Sequence, residues 1–220
     1  MFDKTLTHHI QRYIVSYLMT HEYARFSDLR PPKTDTNLFT YHLKLLQKSD
    51  YIKKADLGYT LSHKGLLFVD RVNADNVAIR KQPKIITMIL VQDGYGKVLL
   101  QKRTKQPYIN TWTLPYGKLH IDDASVLAAA KREADEKLPH SIRNLRHVGD
   151  CYIRIMNKKA VDSSTLAHIF RCETDDSTST DNLQWVKPLD LGKLNLAPAV
   201  EQIVSRSFFG DDFFFEEFIA

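Results

Sequence analysis

The sequence predicts an α+β chain of two domains: a small helical one carrying a β-hairpin, then a larger one with a mixed sheet. Three observations predict it. Residues 1–72 place apolar side chains at helical spacing, whereas from Lys84 onward short apolar runs of strand length dominate. Between them, Asn73 to Pro83 is a polar stretch that ends in proline. The charge divides at the same place, since residues 1–80 hold 12 Lys/Arg against 8 Asp/Glu and residues 81–220 hold 19 against 18. The expected domains are 1–74 and 84–220, with 75–83 as linker.

Composition narrows the function classes. A chain of 220 residues with 43% hydrophobic and 26% charged residues belongs with globular proteins. No run of about 18 apolar residues occurs, so no membrane partner is expected. Met1-Phe2-Asp3-Lys4 lacks the layout of a secretory signal, and two cysteines are too few for a disulfide framework. A cytoplasmic location is the expectation. The net charge of +5 permits contact with phosphates without requiring it.

In the first domain, Ile10, Tyr13, Ile14, Tyr17 and Leu18 predict one apolar face of a helix. Ser27 is a candidate cap for a short helix ending before Pro31-Pro32. Asp35 or Thr36 would cap the next helix, with Leu38, Tyr41, Leu43, Leu45 and Leu46 inward and Asn37, Thr40, His42, Lys44 and Lys48 outward. Tyr51–Lys54 and Tyr59–Leu61 flank a turn at Asp56-Leu57-Gly58, and Ser62 starts a helix containing Leu66, Leu67, Val69 and Val72. This order resembles a winged helix-turn-helix domain, with Asn37 to Ile52 as recognition helix running into the wing. The resemblance implies double-stranded DNA as a partner. Candidate contacts are Asn37, Thr40, His42 and Lys44 on the helix and Lys53 and Lys54 on the wing.

In the second domain, Lys84–Val91 and Val98–Arg103 read as strands joined at Asp93-Gly94-Tyr95-Gly96. Thr111–Pro115 is a third extended stretch. Asp122 or Asp123 is the candidate cap of a helix reaching Leu138, whose packed face is Val126, Leu127, Ala130 and Ala134. Strands over Val148–Ile155 and Leu166–Cys172, Trp185-Val186, and a helix from Pro198 to Ser207 complete the layout. The polar stretch Glu173–Asp181 reads as a mobile surface loop, and Cys151 and Cys172 as buried thiols on strands. Six of eleven phenylalanines fall between Ser207 and Phe218. Solvating all of them is costly, so the tail should pack on its own body or on a second copy in a homodimer.

Leu114-Pro115-Tyr116-Gly117-Lys118, then Asp122-Asp123, then Arg132-Glu133-Ala134-Asp135-Glu136-Lys137, resembles the Nudix box, Gly-x5-Glu-x7-Arg-Glu-U-x-Glu-Glu-x-Gly-U with U apolar. The flanking Leu99–Arg103, Trp112–Leu114, Trp185-Val186 and Leu196-Ala197-Pro198 resemble the family as well. The resemblance covers roughly residues 84–207 and implies a Nudix-like α/β/α sandwich with a mixed sheet. It also implies hydrolysis of a nucleoside-diphosphate-linked substrate with Mg²⁺ or Mn²⁺. A pyrophosphate concentrates negative charge, a divalent ion neutralises it and activates water, and hard Mg²⁺ prefers carboxylate oxygens. The implied catalytic residues are Glu133, Arg132 and Glu136, with Glu133, Glu136 and Gly117 at the metal. Arg103, Trp112, Tyr116 and Lys118 are candidate substrate contacts.

The box departs from the pattern. Counting from Gly117 without a gap puts Asp123 at the first Glu but Arg132 at the catalytic Glu. One extra residue in the loop or at the helix start restores Arg132-Glu133 and Glu136, leaving Lys137 in place of the second acid and Pro139 in place of glycine. A lysine there should weaken metal binding by direct repulsion. The first functional reading is therefore a Mg²⁺-dependent hydrolase. The alternative is a transcriptional regulator whose Nudix domain senses a nucleotide ligand, such as ADP-ribose, without efficient turnover. His120, in the box loop, is the one histidine singled out, because no histidine pair has zinc-ligand spacing.

Overall fold

In a computed structural model the chain is described over residues 6–73, 77, 82–139, 142–158, 160–176, 178–209 and 212–220. It separates into two compact units, Met1–Lys81 and Gln82–Ala220. The expected linker, 75–83, falls mostly outside the described residues.

The first unit opens with α1 (His9–Thr20), which buries Ile10, Gln11, Ile14, Val15 and Leu18. Tyr13, expected inward, faces outward. The short helix expected from Ser27 is a turn. Its hydroxyl bonds Asp28, whose carboxylate also accepts the Arg25 N–H, and Pro31-Pro32 leave no room for nucleation. Asp35 caps α2 (Thr36–Lys48) through the N–H groups of Asn37 and Leu38. Phe39, His42, Leu43 and Leu46 form its buried stripe. The hairpin is β1 (Ile52–Ala55) with β2 (Gly58–Leu61), followed by α3 (His63–Val69), which Ser62 caps at Gly65 N. Ala24 adds one antiparallel bridge to Tyr59, so the hairpin has a third backbone neighbour. Gly58 permits this approach: a Cβ there would lie 2.4 Å from the Ala24 carbonyl oxygen, and its φ is +133°. Leu66 and Leu67 of α3 point outward, while Phe68, Val69 and Val72 lie against the core.

The second unit is built on β3 (Lys84–Gln92), followed by β4 (Val98–Lys102), β5 (Trp112–Thr113) and β6 (Tyr116–Lys118). After α4 (Val126–Lys137) come the long hairpin β7 (Arg143–Asn157) and β8 (Ala160–Glu173), then β9 (Leu183–Val186). A 3₁₀ turn at Pro188–Lys193 leads to α5 (Val200–Phe209) and β10 (Phe214–Ile219). The strand order is β10-β7-β8-β3-β4-β5, with β6 also on β3 and β9 also on β4. β3 runs parallel to β8 along its whole length and antiparallel to β6 at Ile86–Met88. Along β3, Met88 and Leu90 enter a core with Ile203 and Val204 of α5, while Ile89 and Val91 enter another with Ala134 of α4. The continuous apolar run of β3 thus reflects a sheet covered on both faces, which is an α/β/α sandwich.

Two expectations for this unit are corrected. The cap of α4 is Ser125, whose hydroxyl accepts the Ala128 N–H; neither Asp122 nor Asp123 caps it. The β7–β8 strands run well past their expected ends. The stretch after Glu173 carries its own hydrogen bonds, including Trp185 Nε1 to the Thr178 carbonyl. The phenylalanine-rich tail docks on its own chain, β10 pairing in parallel with β7 and Phe214 entering the core. Cys151 and Cys172 are buried on strands as expected, and burial pushes both thiols up to about 12.

Candidate functional site

Small residues bring α4 close to the sheet. Ala129, Ala130 and Ala134 form its buried face with Glu133, which is 4% exposed. The Glu133 carboxylate stands directly over Gly117 of β6, where a Cβ would lie 1.7 Å from the Glu133 Cδ. Gly117 is therefore needed for volume, because any side chain would take the carboxylate's place. Glu133, not Arg132, thus faces Gly117.

Both Glu133 oxygens are engaged by cations of its own helix. Arg132 Nη1 donates to Oε1 at 2.7 Å, and Lys137 Nζ lies 2.7 Å from Oε2. The Lys137 ammonium also donates to the Tyr116 carbonyl. Arg132 holds Asp123 through two bonds of 2.9 Å, Nε to Oδ1 and Nη2 to Oδ2, and reaches the Lys118 carbonyl. Burial pushes the Glu133 carboxyl up, but Lys137 and Arg132 outweigh it and hold the group below its usual value. The Arg132 hydrogen bonds and then the His120 N–H hold Asp123 down to about 2.

The pair expected to share a cation is split. Glu136 is half exposed, with Arg132 Nη1 at 3.6 Å, while Glu133 is buried with a cation on each oxygen. Nudix hydrolases in general use divalent metals, yet this donor set does not fit one as arranged. The ammonium of Lys137 lies where carboxylate and carbonyl oxygens would otherwise be free, and a dication beside it meets a like charge.

These groups border a cavity of about 440 Å³. Among the described residues, six cationic side chains line it (Lys102, Arg103, Lys105, Lys118, Arg132 and Lys137) against two acids, Glu133 and Glu136. Tyr116, Gly117 and His120 line it as well. Arg103 packs over the Tyr116 ring, 5.1 Å from its centroid, bonds its hydroxyl, and donates to the Pro107 carbonyl. Trp112 is not brought to the cavity; it packs against the α5-side core, with Lys102 over its ring. Lys102 at the end of β4 and Lys105 in the loop after it have no sequence signature, because a lysine there looks the same whether it faces solvent or a pocket.

In the first unit Asn37, Lys44, Lys53 and Lys54 are exposed and Thr40 is partly so, its hydroxyl bonded to the Thr36 carbonyl. His42 is corrected: it is 7% exposed, stacked on His8 at 3.9 Å, and cannot reach out from the helix. Burial, then the neighbouring His8 and His9, lower its pKa. Tyr41, expected inward, is 61% exposed and shares a stripe with Asn37, Lys44 and Lys48 at helical spacing.

No curated protein matches the chain. Among solved structures, the mutator MutT protein from Bacillus halodurans is similar, with 22% identity over 62% of this chain and 89% of that one, TM-score 0.51. NrtR from Shewanella oneidensis gives 17% identity over 56% of this chain and 60% of that one, TM-score 0.43. The NUDIX domain of that NrtR, complexed with ADP ribose, gives 18% over 64% and 94%, TM-score 0.42. At these identities likeness speaks for the fold alone, and only the first carries that argument. The NUDIX domain family model matches residues 82–206, more than half of the sequence. With the Gly117–Glu133 contact and a sandwich covered on both faces, the chain belongs to the Nudix family.

Proposed function

We propose that this protein is a regulator whose Nudix domain binds a nucleoside-diphosphate-type ligand without efficient metal-dependent turnover and whose first unit binds double-stranded DNA as a winged helix. The observation that carries the reading is Lys137, with its ammonium on Glu133 Oε2 and on the Tyr116 carbonyl. A diphosphate needs its charge neutralised, and here the chain itself supplies cations around the cavity. Arg103 and the Tyr116 ring beside them offer planar groups on which a base or sugar can pack. Both Glu133 oxygens already face cations of the chain, so a water or a metal ion would compete with Arg132 and Lys137 there.

The DNA half of the proposal rests on α2 and the hairpin. The stripe Asn37, Tyr41, Lys44 and Lys48 suits a groove, and Lys53 and Lys54 suit the phosphate backbone. His42 and Thr40 contribute packing and helix bonding instead.

A second reading, Mg²⁺-dependent hydrolysis by Glu133 and Glu136, is favoured by both glutamates lining one cavity with Gly117. It requires Lys137 to leave Glu133. Calorimetric titration with ADP-ribose in EDTA, paired with product detection in Mg²⁺, separates the two. The sensor reading expects binding in EDTA, negligible product and a changed affinity for duplex DNA. Mg²⁺-dependent product that Glu133→Gln abolishes would overturn it in favour of the hydrolase.

A further inference from the structure

We propose a transition-metal site on the β7–β8 hairpin, formed by His147, Asp150 and His168 and suited to Zn²⁺. The His147 Nε2 lies 2.8 Å and the His168 Nδ1 2.7 Å from the same oxygen, Oδ1 of Asp150. One ligand atom from each residue falls within 4.8 Å of the other two. All three remain partly accessible, with side-chain exposures of 35%, 23% and 16% for His147, Asp150 and His168.

The backbone explains how the three come together. Asp150 pairs directly with His168 across the hairpin, so these two share a face. His147 is three residues before Asp150, a spacing that on a regular strand points to the opposite face. A register shift between His147 and Gly149 inserts Val148 and sets His147 opposite Phe170, two residues from His168. The bulge therefore turns His147 onto the same face. It is also why no linear spacing in the sequence reveals the cluster.

The donor chemistry narrows the ion to a transition metal. Two imidazoles and one carboxylate suit zinc with a fourth position left for water, whereas Mg²⁺ and Ca²⁺ favour all-oxygen sets. Tetrahedral zinc with ligands at roughly 2.0–2.1 Å holds donors about 3.3 Å apart, so the present hydrogen-bonded spacing opens by about half an ångström on binding. The ring nitrogens facing Asp150 then bear lone pairs, so His147 Nε2 gives up its 3.1 Å contact with the Gly149 carbonyl; each imidazole keeps one proton on its other nitrogen, and any displaced proton goes to solvent. The His147 ring is already oriented, stacked on Phe170 at 4.9 Å and met edge-on by Phe213 at 5.1 Å. None of the three borders the cationic cavity. His168 registers with Thr87, and Thr87 with Gly117, so two strand spacings, roughly 10 Å, part the cluster from Gly117. The proposal thus stands apart from the reading of the Nudix cavity.

The test uses the full chain, freed of metal with a chelator that is then removed, and titrated with Co²⁺ alone and with Zn²⁺ alone. The expected result is saturable 1:1 binding with the intense visible bands of four-coordinate cobalt, bleached by Zn²⁺, and a Zn²⁺-dependent rise in thermal midpoint. His147→Ala and Asp150→Asn should each lower the affinity at least about ten-fold, while Glu133→Gln leaves it unchanged. Absence of saturable binding to the unmodified chain overturns the proposal. So does binding undiminished in His147→Ala, the more accessible of the two histidines and the variant least able to disturb folding.

Discussion

Lys137 Nζ lies 2.7 Å from Glu133 Oε2, one helical turn away on α4, so an ammonium of the chain meets the carboxylate that faces Gly117. Replacing it inverts the local charge. Lys137→Glu should create a Mg²⁺ site where none works well: Mg²⁺ raises the thermal midpoint of the variant and leaves the parent unmoved. Without Mg²⁺ the variant should lose about 2 kcal/mol, the scale of a charged hydrogen bond. An equal Mg²⁺ response in parent and variant would remove Lys137 from this role.

Gly117→Ala tests the contact on the sheet side. A methyl group cannot occupy space 1.7 Å from the Glu133 Cδ, so the carboxylate must leave both cations or the helix must lift. A loss of about 3 kcal/mol in urea unfolding is expected, together with loss of nucleotide binding. A variant as stable as the parent would show that Glu133 moves freely.

The ion-pair cluster also sets an acid limb. Asp123 is held down to about 2 from an ordinary value of 3.8, and Glu133 is likewise lowered. Carboxyls held low in the fold add stability that is complete above their unfolded values and vanishes as pH falls through the folded ones. Stability should therefore fall between about pH 4 and pH 2. Asp123→Asn removes one of these carboxyls, so its urea midpoint should change less over that window. An unchanged slope would mean that the Arg132 pair contributes nothing to folding.

For the first unit, Lys53→Glu with Lys54→Glu should weaken binding to duplex DNA of any sequence. The dependence of log K on log salt should flatten by about 1.8, two phosphate contacts' worth. His42→Phe, by contrast, should leave DNA affinity within about two-fold. It should also remove a loss of stability below pH 6.5, because a buried histidine with lowered pKa resists protonation in the fold. Equal DNA effects from both changes would place the interface elsewhere.

The sequence made legible what one element decides alone. The Ile10–Ile14–Leu18 stripe, the Ser62 cap, and β3 as a strand follow from local periodicity and side-chain bonding. It misjudged what depends on a second element. Tyr41 and His42 traded places because stripe assignment on α2 needed the partner helix, and His42 finds His8 there. Asp123 looked like a cap but is drawn to Arg132 nine residues later, leaving Ser125 the helix start. At the site, the box pointed to Gly117, Glu133 and Glu136 as candidates, which line one cavity, and flagged Lys137 as an obstacle. That the lysine bonds Glu133 and Tyr116 needed three dimensions, since the Tyr116 carbonyl is a backbone group with no sequence signature.

The tail strand has a final consequence. Among the described residues β10 ends the strand order, and Phe215, Glu217 and Ile219 alternate as its exposed residues. That single carboxylate interrupts what would otherwise be a sticky ribbon, free to recruit extended segments of other molecules. Glu217→Val should make light scattering grow with protein concentration; a clear solution would credit the twist of the strand instead. The rim of the sheet thus places one charge between two greasy neighbours.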